Sequence, residues 1–329
     1  MNQKFFARFF SKKRPFLSLC AAVMLAPVQA QAAPEVASVP VGDGLTLAYY
    51  TSGQTAGVTR ILIAVQGYTR DANRTFDAAE MAAAKLGVAR ATLVVAPIFQ
   101  VAAARSAKCR FPGVPLPAKG DALWTCGDWS DGSVASNGKV TSFAAMDRLV
   151  AALVATYHPQ MVTIAGFSAG GQYVQRYIGF ADAPVGVPMR YVVADPSGWL
   201  YFDPVRPLTG AASCPGYDDW KFGTGHLPAA LGRDAAAARA VYAASDTQYL
   251  EGALDTGDGP GTAYKLLERS CGAEVQGRYR LDRGLNYAAY DKAMLAHGAH
   301  RLTVIAGCAH LVTCVFPGAA GDLLGVGGP

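Results

Sequence analysis

A doubly wound α/β domain with a mostly parallel sheet is predicted, on two observations. Short apolar runs alternate with helical patterns along most of the 329 residues. The runs are also continuous rather than alternating in polarity, as strands covered by helices on both faces are. Element by element, strands over 36–41 and 45–49 flank Gly42-Asp43-Gly44, whose glycines permit a tight reversal. A strand at 61–65 precedes a helix at 76–86. A strand at 92–96 precedes a helix at 146–157, and a strand at 161–164 precedes a helix at 169–177. Apolar runs at 191–194, 240–244 and 302–306 complete the expected sheet. The connections 99–141 and 197–237 are too long for plain loops and carry Trp124, Trp129, Trp199, Tyr201, Phe202, Tyr217, Trp220 and Phe222. The second is expected to form a cap-like insertion, over 198–237, that walls a substrate site. Residues 318–328, rich in glycine and alanine, are expected to trail as a loose tail.

The first 32 residues have the parts of a cleavable secretory signal. Lys4, Arg8, Lys12, Lys13 and Arg14 precede an apolar run over 16–28, and Ala30-Gln31-Ala32 supplies a small-residue cleavage site. The expected product is one domain over 33–329, secreted or periplasmic. A stable membrane anchor is not expected, because the run is shorter than the roughly 20 residues a bilayer requires. The chain has 29 Lys and Arg against 24 Asp and Glu, and the leader holds the whole excess. No basic patch suited to nucleic acid is left. Of the seven cysteines, all but Cys20 follow the leader. In an oxidising compartment, Cys109, Cys126, Cys214, Cys271, Cys308 and Cys314 read as disulfides. Proximity along the chain favours 109 with 126 and 308 with 314, leaving 214 with 271, although six cysteines allow about 15 pairings. No CxxC or HxxxH spacing presents a chelating pair, so no metal is expected.

The chemistry concentrates at Gly166-Phe167-Ser168-Ala169-Gly170. A strand leads in and a helix leads out, the context in which a G-x-S-x-G turn lifts a serine out of a sheet. Serine needs a base, and His310 follows the last apolar run, after both the serine and the acid candidates. His297 and His300 precede that run, while His158 and His226 have ordinary surface settings. The acid is assigned to Asp246, just after the run 240–244, with Asp195 as the alternative and Asp255 or Asp258 behind them. Two N–H donors are expected for a developing oxyanion. One is Ala169, opening the helix, and the other is Tyr68, in the turn Val65-Gln66-Gly67-Tyr68.

These residues resemble the α/β-hydrolase superfamily over almost the whole chain after the leader. The Gly-Phe-Ser-Ala-Gly-Gly turn is similar to that of secreted polyhydroxyalkanoate depolymerases and feruloyl esterases. Residues 194–201 and 214–217 resemble a group of secreted hydrolases with Asn where Asp195 stands here. The resemblance implies a cofactor-free serine hydrolase acting on a small-molecule or polymeric ester. The alternatives are a peptidase or amidase with the same triad, or a binding protein on the same fold. The aromatic insertion favours an apolar or aromatic ester.

Overall fold

The structure is a computed structural model and describes residues 34–182 and 186–326. The expected signal segment lies outside the described residues. The strands, in chain order, are β1 (Glu35–Gly42), β2 (Leu45–Thr51), β3 (Arg60–Val65), β4 (Thr92–Ile98), β5 (Gln100–Val101), β6 (Leu123–Trp124), β7 (Met161–Phe167), β8 (Met189–Ala194), β9 (Asp246–Gly252) and β10 (Arg301–Ile305). The helices are α1 (Ala72–Lys85), α2 (Ala103–Ser106), α3 (Ser142–Tyr157), α4 (Ala169–Phe180), α5 (Ala235–Ala243), α6 (Cys271–Glu274), α7 (Arg280–Met294), α8 (Val312–Gly318) and α9 (Ala320–Leu324).

One eight-stranded sheet runs in the order β1-β2-β4-β3-β7-β8-β9-β10. The glycine reversal makes β1 and β2 an antiparallel edge hairpin, β2 lies antiparallel to β4, and all later neighbours are parallel. This is the α/β-hydrolase topology. Alternate residues of each inner strand feed two cores. Ile61, Ile63 and Val65 pack with Leu149, Tyr173, Tyr177, Tyr242 and Tyr287 from α3, α4, α5 and α7. Leu62 and Ala64 face the opposite way, toward Phe76 of α1 and Val315, Phe316 and Leu323 of α8 and α9. Parallel register brings the C-terminal ends of β3, β7 and β8 to one edge, with Val65 beside Gly166 and Phe167 beside Ala194.

Two expected elements differ from this arrangement. The run 240–244 is not a strand but the end of α5. Asp234 caps that helix, its side chain accepting from Ala237 N at 2.8 Å, and the alanines that follow are the best helix formers. The strand comes one step later, as β9. The C-terminal segment is not loose through 324, because α8 and α9 bury Val315, Phe316, Leu323 and Leu324 against α1 and the sheet.

Three disulfides join Cys109 to Cys126, Cys214 to Cys271 and Cys308 to Cys314. The second clips the 197–237 segment to the start of α6. The aromatic residues of that segment mostly serve the core. Trp199 stacks on Tyr287 with centroids 4.3 Å apart, Tyr201 packs on Tyr287 and Tyr290, and Phe202 lies against Tyr242. In the earlier connection, Trp129 stacks on Phe99, and the buried Arg176 of α4 holds Asp131 at 2.6 Å.

Candidate active site

The turn from β7 into α4 is tight enough to exclude side chains. A Cβ on Gly166 would collide with the carbonyl of Gly170, and one on Gly170 with the carbonyl of Val65. One on Gly171 would lie 2.6 Å from the Ala194 carbonyl. Glycine is therefore a steric requirement here, which is what the sequence pattern encodes. At the apex Ser168 takes φ 60° and ψ −119°, a conformation costly for a non-glycine residue, and its N–H donates to the Ala194 carbonyl at 2.9 Å. Ala169 opens α4, so its N–H has no acceptor within the helix.

His310 arrives on the loop after β10. That loop lies on the end of β9, where Leu254 N donates to the Cys308 carbonyl at 2.8 Å and His310 N to the Gly261 carbonyl at 3.0 Å. Gly252 makes the approach possible, since a Cβ there would stand 2.8 Å from the Cys308 carbonyl. The imidazole then bridges two partners. Its Nε2 is 2.9 Å from Ser168 Oγ, and its Nδ1 is 2.8 Å from Asp255 Oδ2. A carboxylate only accepts, so Nδ1 carries the ring proton and Nε2 is free to take one from the serine. Burial, joined by the nearby Arg280 guanidinium, pulls the ring down to about 4 against the opposing pull of Asp255. The base is thus neutral, and able to accept, at neutral pH.

The acid expected at Asp246 is elsewhere. Asp246 is the first residue of β9, at the opposite end of the sheet, where its carboxylate pairs with Arg190 at 2.8 Å. The apolar run before Asp246 belongs to α5, so Asp246 opens a strand instead of following one. Asp255, three residues past the true strand end and 1% exposed, holds the imidazole instead. The alternative acid Asp195 lies at the correct edge, following β8, with φ 43°. Its Oδ1 accepts from Gly252 N at 2.8 Å, and it is not hydrogen-bonded to His310. Asp258 is exposed. One donor atom each from Asp195, Asp255 and His310 lie within 4.8 Å of one another. The guanidinium of Arg280, 3.4 Å from Asp255, opposes a cation at that cluster.

The serine opens into a cleft of about 280 Å³ lined by polar groups, among them Ser130, Gln172, Ser197, Lys221 and Lys265. A neighbouring lobe of about 190 Å³ is more apolar, with Phe111, Phe167, Leu266 and Val312 beside Arg74. Tyr68 borders both lobes. Its turn is fixed by Asp71, whose Oδ1 accepts from Gly67 N at 2.8 Å. Trp199, Tyr201 and Phe202 are buried in the core, so the basis for expecting an aromatic ester is not in this cleft.

No protein-family model and no curated sequence matches the chain. Among solved structures, poly(aspartic acid) hydrolase-1 from Sphingomonas sp. KT-1 is similar over 86% of this chain and 96% of its own, with TM-score 0.60 and 21% identity. LpqC, the poly(3-hydroxybutyrate) depolymerase from Bordetella parapertussis, is similar over 85% of this chain and 86% of its own, with TM-score 0.58 and 18% identity. At such identities the likeness concerns the backbone, and the chemistry has to be taken from the side chains in place. The chain has the α/β-hydrolase fold, and Ser168, His310 and Asp255 at its strand ends form the triad of a serine hydrolase.

Proposed function

We propose that the protein hydrolyses carboxylic esters through a covalent acyl-enzyme. The observation that carries this reading is the unbroken chain Ser168 Oγ, His310, Asp255, with contacts of 2.9 and 2.8 Å. A lone pair on Oγ forms the bond to the ester carbon while the Oγ proton moves to Nε2, and the carbonyl π pair shifts onto oxygen. The N–H groups of Ala169 and Tyr68 receive that oxyanion. The proton passes from Nε2 to the departing alcohol, and water then repeats the sequence to free the acid.

The polar cleft and its apolar neighbour suit a substrate with two unlike sides, small or polymeric. The two similar structures are named for poly(aspartic acid) and for poly(3-hydroxybutyrate), both of them polymers. Export is part of the proposal: the leader over 1–32 and three disulfides both fit an oxidising compartment. So is a single catalytic domain over 33–329 with 198–237 as its insertion. Among the described residues no helix is long and apolar enough to cross a membrane.

The test is active-site labelling of the processed protein with a fluorophosphonate, read by mass spectrometry, alongside turnover of p-nitrophenyl butyrate and the matching anilide. Expected are a label on Ser168, lost in His310→Ala, and faster cleavage of the ester. Faster cleavage of the anilide makes it an amidase, and folded protein that takes no label makes it a binding protein.

A further inference from the structure

Beneath His310 lies a group of ionisable side chains of which acyl transfer, as described, uses only Asp255. Asp195, Glu251, Asp255 and Arg280 are each no more than 1% exposed, three carboxyls against one guanidinium. They come from the end of β8, from β9 and the loop after it, and from the first turn of α7. Arg280 ties these elements together. Its Nη1 donates to the Thr262 carbonyl at 2.7 Å and faces Asp255 Oδ1 at 3.4 Å, and its Nε donates to Ser197 Oγ at 3.0 Å. Both oxygens of Asp255 are thereby engaged, one by Arg280 and the other by His310.

Glu251 has a different setting. Its carboxyl presses on Gly284 of α7, where a Cβ would collide with it. Among the described residues no N–H or hydroxyl reaches either of its oxygens, nor Asp195 Oδ2. Pairing of Ala194 with Leu250 and the bond from Gly252 N to Asp195 Oδ1 set the Asp195 carboxyl beside residue 251, so the two carboxyls are neighbours with no other donor on Glu251 or on Asp195 Oδ2. Two buried carboxylates cannot face each other in that way without a proton between them. Burial and the neighbouring Asp195 charge accordingly hold Glu251 well above the carboxylate range, and burial with Asp255 lifts Asp195 to about 7. Arg283, also buried, donates through Nε and Nη1 to the carbonyls of Gly277, Ser197 and Glu268, while its Nη2 has no partner among the described residues. Arg74 adds a positive field on His310 from α1.

We propose that Arg280 is a positioning residue for the triad acid, and that Glu251 and Asp195 share one proton beneath it. The chamber then carries one net negative charge while His310 is neutral, and none when His310 has taken the serine proton. This rests on the serine-hydrolase reading for its catalytic meaning, but the charge arrangement belongs to the resting protein and is measurable there. Arg280 has two separable effects. It aims Asp255 at Nδ1, and its charge adds to burial in holding the free imidazole unprotonated. The shared proton and the fixed guanidinium are both buried, so salt screens them little.

Two measurements on resting protein test this. Infrared spectra at about pH 8, above the range of ordinary carboxyls, should show the C=O stretch of a protonated buried carboxyl that disappears in Glu251→Gln. A spectrum without that band overturns the shared proton. The ring nitrogen shifts of His310, followed by NMR, should titrate at least about one unit higher in Arg280→Gln than in the wild type. In turnover of p-nitrophenyl butyrate the same variant should lose about ten- to a hundredfold in kcat with KM unchanged. Arg280→Lys keeps the charge but not the fork, so it should restore the His310 midpoint and leave kcat low. An unmoved midpoint in folded Arg280→Gln overturns the assignment. Should that variant not fold, wild-type kcat in Arg280→Lys overturns it. A shifted midpoint in a protein that hydrolyses nothing would refute the ester-hydrolase reading and leave the chamber standing.

Discussion

Asp246 opens the strand that Asp255 follows, and each pairs with an arginine, yet only one belongs to the site. The Asp246–Arg190 pair is the shorter, at 2.8 Å against 3.4 Å for Asp255–Arg280. Its side chains are 38% and 21% exposed, whereas those of the Asp255 pair are 2% and 1% exposed. Contact distance is thus a poor guide to what an ion pair does. In water-facing surroundings the attraction is largely screened and both partners keep alternatives. In the buried chamber neither side chain is open to bulk solvent, so losing one leaves a stranded charge. Strand polarity adds the second distinction: the C-terminal edge gathers the elbow and the histidine loop, and the N-terminal edge gathers neither.

Substitutions at the two aspartates should widen this contrast. Asp255→Asn is expected to lower kcat by about 10⁴-fold, because an amide cannot hold the Nδ1–H tautomer and leaves Arg280 unpaired. Next in size is Gly252→Ala, whose Cβ would meet the Cys308 and Ala309 carbonyls at 2.8 and 2.9 Å. Pushing the histidine loop off the strand end should cost about ten- to a hundredfold in kcat and about 1–3 kcal/mol in urea unfolding. A pH profile sharpens the comparison further. With His310 at about 4, kcat/KM is present above that value and is lost as pH falls through it, because the protonated ring can no longer accept. An acid limb near 6.5, the ordinary histidine value, would show that the ring is far better solvated than its burial implies. The smallest effect is reserved for Asp246→Asn: kcat within about twofold of wild type and less than about 1 kcal/mol of stability, measured by the same assays. A large kcat loss there, with Asp255→Asn near wild type, would reverse the assignment of the acid.

Much of this was legible in the residues. The glycine turn, the strand before Ser168 and the helix after it follow from local sterics, and steric rules are written in short stretches of sequence. His310 was found by its place after the last apolar run. The acid was missed for a reason connected with its own surroundings. The strand that precedes it, β9, reads Asp-Thr-Gln-Tyr-Leu-Glu-Gly, and its apolar pattern is broken by Gln248 and Glu251, both buried. Glu251 is a member of the charged chamber, so the feature that equips the site also hid the strand. The nearby helix α5, all alanine but for Arg239, Val241 and Tyr242, offered an apolar run in its place. Asp234 before four alanines was the available signal for a helix start. The long-range contacts of Arg280 with Ser197, Thr262 and Asp255 span as many as 83 residues, and no local pattern announces them.

The close approach of main chain around the nucleophile also limits how the protein can be retargeted. Positions 166, 170 and 171 face carbonyls with no room for even a methyl group, so random mutagenesis there should yield inactive clones whatever substrate is screened. Lys265 and Leu266, exposed at the mouth of the cleft, are under no such restriction. Diversity aimed at new specificities belongs on that rim, and the framework below it should be left alone.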